Sequence, residues 1–93
     1  MIKSFANKET EKLFKREISR KFHRSIQQIA RRKLEILDAT EVLQDLRIPT
    51  SNHLEKLLGD RKGQYSIRIN KQWRLCFEWR DGDAYNVEIV DYH

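Results

Sequence analysis

The hydrophobic period changes once along this chain, at Gly63, and that change limits what it can fold into. Beyond it, Tyr65, Ile67 and Ile69 alternate with Ser66, Arg68 and Asn70. Trp73, Leu75, Phe77 and Trp79 then alternate with Arg74, Cys76, Glu78 and Arg80, and Tyr85, Val87 and Ile89 with Asn86, Glu88 and Val90. A period of two marks a strand with one buried face. Asp81-Gly82-Asp83 reads as the turn between the last two runs. The expected product is a three-stranded antiparallel meander with ten apolar or aromatic side chains on one face.

Before Gly63 the period is helical. Asn7 suits an N-cap, Glu9 and Glu11 suit the positive helix end, and Leu13, Phe14 and Ile18 form a stripe. A first helix is expected near 7–17. Ser25 and Gln28 have capping-box spacing, and Ile26, Ile29, Ala30, Lys33 and Leu37 follow in a second helix to about Ala39. Lys33 fits if its stem lies along the apolar face. Thr40 is expected to cap a further turn or two to Leu46; Pro49 ends that region, and residues 47–53 read as a loop. Ile2–Phe5 alternates and suggests an N-terminal strand. The class is therefore α+β: a strand and two helices on one face of an antiparallel sheet, in a single domain spanning 1–93. A chain of 93 residues has room for one core.

Side chains opposite one another in an antiparallel pair share a face. A three-residue loop at Asn70-Lys71-Gln72 pairs Ile69 with Trp73 and Arg68 with Arg74. The same reasoning pairs Trp79 with Tyr85 and Phe77 with Val87, and sets Arg74 opposite Val90. Two arginines thus face each other on the polar side of the sheet, near Tyr92 and His93. Either Glu88 or Glu78 neutralises one of them, or the pair grips an anion such as phosphate. A phosphate grip beside a histidine and a tyrosine suits RNA cleavage, which needs a base for the 2′-hydroxyl, positive charge for the phosphorane and an acid for the 5′-oxygen. His23 reads as a surface residue and Cys76 as inert.

Charge points the same way. Residues 1–47 carry 12 basic and seven acidic side chains, and the whole net charge of +5 resides there; Lys12–Lys33 holds nine basic residues and one acid. That band is either a solvated face or a contact for nucleic acid or an acidic protein. No membrane span, signal peptide, internal disulfide or Cys/His metal pattern is expected, and a reducing cytoplasm is the simplest setting.

The runs KLEILDATEVLQDLRIP, GDRKGQYSIRINKQWRLCFEW and VEIVDYH, with the opening MIKSF, resemble the HigB-type toxins of bacterial toxin–antitoxin systems, in the RelE/ParE superfamily. The resemblance covers residues 1–93. It implies a small RelE-like domain and a ribosome-dependent endonuclease that cuts mRNA through 2′-hydroxyl attack, without a metal or other cofactor. It implies two partners, a HigA-type helix-turn-helix antitoxin and the 70S ribosome with its mRNA. Position by position, the family's catalytic arginine is Arg74, and its terminal Asp-Tyr-His is Asp91, Tyr92 and His93. Arg74 would stabilise the phosphorane, Tyr92 would position or stack on a nucleotide, and either Asp91 or His93 would handle a proton. Arg68, Lys56, Arg61 and Lys71 would hold RNA phosphates.

The chain departs from the family at one point. Well-studied members place His-Pro-Leu-Lys directly before Gly-Asp-Arg, whereas Lys56-Leu57-Leu58 precede Gly59 here. A His-x-x-Lys occurs as His53-Leu54-Glu55-Lys56, two residues earlier, a shift that preserves strand facing, so the His53 side chain is expected with Lys56 among the RNA-binding residues. Two other functions fit the superfamily, a ParE-type gyrase poison and a catalytically weak relative that binds only RNA or its antitoxin.

Overall fold

The computed structural model of the protein describes residues 1–92. Helices α1 (Lys8–Phe14) and α2 (Arg24–Ala39) come first, and strands β1 (Glu55–Lys56), β2 (Gln64–Arg68), β3 (Trp73–Arg80) and β4 (Asp83–Asp91) follow, with short 3-10 turns at Leu43–Arg47, Thr50–Asn52 and Gly59–Arg61. The sheet runs β1-β2-β3-β4, every neighbouring pair antiparallel. The meander thus gains a fourth, edge strand. Two residues long, β1 has no periodicity to betray it.

Both helix starts are set by side-chain caps. Asn7 Oδ1 accepts from Thr10 N–H at 2.8 Å, as expected. At α2 the cap is His23, whose Nδ1 accepts from Ser25 N–H at 3.1 Å. The expected Ser25–Gln28 box is not formed. Ser25 lies within the first turn, and its hydroxyl bonds His23 Nδ1 at 2.8 Å. Thr40 likewise caps nothing forward: its hydroxyl donates back to Ile36 O at 2.7 Å, and the next turn opens at Val42 with no side-chain cap. Helix α1 stops at Phe14, short of residue 17. Arg16 takes φ +63°, so the chain leaves the helix and Ile18 is solvent-exposed.

The core lies between the helices and one sheet face. Leu13, Phe22, Ile26, Ala30, Leu34 and Leu37 pack against Ile67, Ile69, Leu75, Phe77, Ala84, Val87 and Ile89. Helix α2 is rotated from the expected stripe: Leu34 is buried, Ile29 is exposed, and Lys33 lies at the edge. Each fully buried leucine contributes roughly 2 kcal/mol relative to exposure.

The β3–β4 register departs from expectation at one end. Arg74 lies opposite Val90 and Cys76 opposite Glu88, but Glu78 faces Tyr85 and Trp79 faces Ala84. Asn86 and Val87 together oppose Phe77, which is a β-bulge with Asn86 at φ +51°. The turn is two residues long, Asp81 (φ +50°) and Gly82 (φ +81°), the paired positive φ of a type I′ hairpin. The expected Trp79–Tyr85 and Phe77–Val87 pairs fail because a bulge leaves the apolar alternation readable while adding one residue to the ladder. The N-terminal segment runs parallel to β4 through two isolated bridges, Ile2–Ala84 and Phe5–Val87, the second at that bulge. It is therefore not a continuous strand.

Candidate active site

Arg74 is at the centre. It is buried, with 8% of its surface exposed, on the polar face of β3. Its Nε donates to the Ser66 hydroxyl at 2.8 Å, and its Nη2 donates to the His53 carbonyl at 2.6 Å. These acceptors fix the guanidinium plane from two sides. Nη1 lies 3.8 Å from Glu55 Oε1, and the Tyr92 ring lies 5.8 Å from the guanidinium carbon. The site so assembled is a desolvated cation with one edge turned to an exposed carboxylate and an exposed aromatic ring.

Ser66 and Glu55 are the residues that sequence reasoning missed. The register explains both: Glu55 on β1 opposes Ser66 on β2, and Ser66 is two positions from Arg68, which opposes Arg74. The alternation already put Ser66 on the polar face. Glu55 became a neighbour only once β1 joined the sheet. The expected neutralisers are engaged elsewhere, Glu88 with Arg61 at 3.2 Å and Glu78 with Arg80 at 3.9 Å.

The remaining expected residues divide into groups. Arg61, Asp91 and Tyr92 come together with Leu58, Asp60 and Val90 around an open cavity of about 410 Å³. Arg61 is held there by Gln64 Oε1 at 3.0 Å and by Glu88. Asp91 accepts from Gln72 Nε2 at 3.1 Å. His53 reaches Arg74 through its backbone carbonyl, and its φ of +45° takes it out of the strand conformation on which the two-residue shift argument depends. Lys56 opposes Tyr65, a partner from the core-facing side of β2. Lys71 is exposed in the β2–β3 loop. Arg68 does oppose Arg74 across the ladder, yet it lines a separate cleft with residues of α2. His93 lies outside the described residues.

Burial pushes the Cys76 thiol up, and Arg61 and Arg74 only partly offset it, so no thiolate is prepared here. Among the described residues, no group of three His, Cys, Asp or Glu side chains is placed to hold a metal ion, and no helix is long and apolar enough to cross a membrane.

Residues 3–93 match the family model of RelE-like toxins of type II toxin–antitoxin system HigB. The chain is 54% identical over 65 residues to a protein named Toxin HigB-1 from Vibrio cholerae, an alignment spanning 70% of this chain and 68% of that one. It is 31% identical to Endoribonuclease HigB of Proteus vulgaris over 93 residues, the full length of both. An uncharacterised Haemophilus influenzae protein is 37% identical over 65 residues, 70% of this chain and 64% of that one.

Proposed function

The chain belongs to the HigB family of RelE-like toxins of type II toxin–antitoxin systems, and from that premise we propose that it is an endoribonuclease that cuts mRNA on the ribosome. The observation that carries this reading is the buried Arg74, pinned by Ser66 and His53, with an exposed acid within 4 Å. A guanidinium fixed before substrate arrives stabilises developing phosphorane charge without having to reorganise.

In the proposed reaction the 2′-hydroxyl proton passes to the Glu55 carboxylate as the 2′-oxygen bonds to phosphorus. The bond from phosphorus to the 5′-oxygen breaks, and that oxygen takes a proton from Asp91 or His93. Glu55 suits the role of acceptor because it is more than half exposed and lies beside the cation that would hold the phosphate. In the family pattern His-Pro-Leu-Lys-Gly, the histidine stands four residues before the glycine; Glu55 stands four before Gly59. A carboxylate thus occupies the position of that imidazole. Tyr92 stacks on a nucleotide beside Arg74, and Arg61 faces the strand from the neighbouring cavity. The partners are the ribosome with its mRNA and a helix-turn-helix antitoxin of the HigA type, met in the cytoplasm.

Growth after induction tests this reading. Arg74→Lys keeps a charge but loses the planar fork, and it should relieve arrest at equal protein level. Arrest that persists in the variant and comes with a DNA-damage response would favour gyrase poisoning instead.

A further inference from the structure

The cleft that receives Arg68 gathers three cations from two elements. Ile29, Arg32 and Lys33 come from α2, Ser51 from the Thr50–Asn52 turn, and Arg68 and Ile69 from the end of β2; the space measures about 330 Å³. No carboxylate lines it, and among the described residues none of its three cations is ion-paired. Arg61 and Arg74 of the neighbouring active face, by contrast, each have an acidic partner.

Two of these cations are held in place. The Lys33 ammonium donates to Asn52 Oδ1, and Asn52 is fully buried, its amide bonded to Leu46 O at 3.2 Å. Arg68 Nε donates to Asn70 O at 3.2 Å, which leaves its two terminal nitrogens without a partner among the described residues. Burial, then the adjacent Arg32, lowers the Lys33 pKa, so its surroundings penalise the charge. An anion would remove that penalty.

We propose that Arg32, Lys33 and Arg68, with the Ser51 hydroxyl, form a second phosphate-binding site that holds the RNA backbone next to the cleaved bond. A guanidinium fork, an ammonium and a hydroxyl together match phosphate oxygens. Position favours RNA over an acidic protein. Arg68 lies directly opposite Arg74, and Ser51 is two residues before His53, whose carbonyl holds Arg74. These two links tie the cleft to the Arg74 site, and in this proposal a strand seated on Arg74 extends on to it. This inference rests on the endonuclease reading.

The test uses the full chain carrying Arg32→Gln and Arg68→Gln together, with a control in which exposed Lys3 and Lys8 become Gln. Single-turnover cleavage of ribosome-bound mRNA is followed against toxin concentration. The cleft pair should raise the half-saturating concentration at least tenfold while the plateau rate stays within twofold, and the control pair should change neither. A second readout does not need cleavage: binding of a fluorescein-labelled single-stranded RNA hexamer, in an Arg74→Lys background, across salt concentrations. The cleft pair should flatten the logarithmic salt dependence by roughly 1.4, about 0.7 for each lost contact with a single strand. Equal weakening by the control pair would overturn the proposal, and so would unchanged binding. Unchanged RNA binding with loss of antitoxin capture would make the cleft a protein interface and would also overturn it. If wild-type protein cuts nothing, the endonuclease reading fails, and the hexamer experiment still decides the cleft.

Discussion

Glu55 Oε1 lies 3.8 Å from Arg74 Nη1, on an edge strand of two residues. The pair joins the acid best placed to take a proton to the cation best placed to hold a phosphate. Because Glu55 is exposed, solvent screens the pair and its contribution to stability is small. Glu55→Gln should therefore leave the melting temperature within about 2 °C and lower the single-turnover cleavage rate at least 100-fold, within the range general base catalysis supplies. Glu55→His should restore part of that rate and move the acid limb of the pH profile upward. Wild-type rates in Glu55→Gln would remove Glu55 from the chemistry.

Arg74 has a structural duty as well. Its Nε holds the hydroxyl of Ser66, which is fully buried. Arg74→Ala leaves that hydroxyl without this donor, at a cost of about 1–3 kcal/mol. For a chain of this size each kcal/mol lowers the melting temperature by roughly 4–8 °C. Thermal unfolding of Arg74→Ala should show that loss, so lost activity in this variant must be read beside its stability. Full retention of the wild-type melting temperature would show that Ser66 finds another partner.

Glu9 ties the segment after α1 back to that helix. Its carboxylate accepts from the buried Ser19 hydroxyl at 2.7 Å and pairs with Lys12 at 3.2 Å. The Ser19 bond, then Lys12, holds its pKa below the ordinary 4.5. A carboxyl lowered on folding contributes stability that is complete above its unfolded value and is lost as pH falls through the folded one. Melting temperatures taken from pH 7 down through the carboxylate range should fall more steeply for wild type than for Glu9→Gln. Parallel curves would contradict this.

The bulge at Asn86 gives a backbone prediction. Asn86 holds φ +51°, is exposed, and donates its side-chain amide to Glu78 at 2.8 Å. Asn86→Val places a β-branched residue in the left-handed region and should cost about 1–2 kcal/mol, measured by urea unfolding. Asn86→Gly should cost less. The reverse order would show that the Glu78 bond, not the backbone, is what the site requires.

Much of the active face was legible because alternation fixes facing. The Arg68–Arg74 and Arg74–Val90 pairs follow from turn length and period alone, and both are present. The same reasoning failed around Trp79, where a bulge and a shorter turn compensate in the apolar pattern but not in the pairing. It also missed Glu55, since a two-residue strand has no period and its neighbours come from tertiary pairing. The caps divided similarly. Asn7 is a strong local acceptor, whereas His23 caps α2 through a ring nitrogen that helix-start rules rank low. The displaced His53-x-x-Lys56 read as a shifted copy of a family motif. In the fold, His53 supplies a backbone carbonyl, and the exposed acid between the two residues stands beside Arg74.

The central claim is best tested by primer-extension mapping of a reporter mRNA in a reconstituted translation reaction. Wild type, Arg74→Lys, Glu55→Gln and a chain lacking His93 would each be run with and without ribosomes. The account predicts discrete cuts by wild type only when ribosomes are present, and their loss in Arg74→Lys and Glu55→Gln. Folded wild-type protein that leaves the mRNA intact in every lane would contradict it.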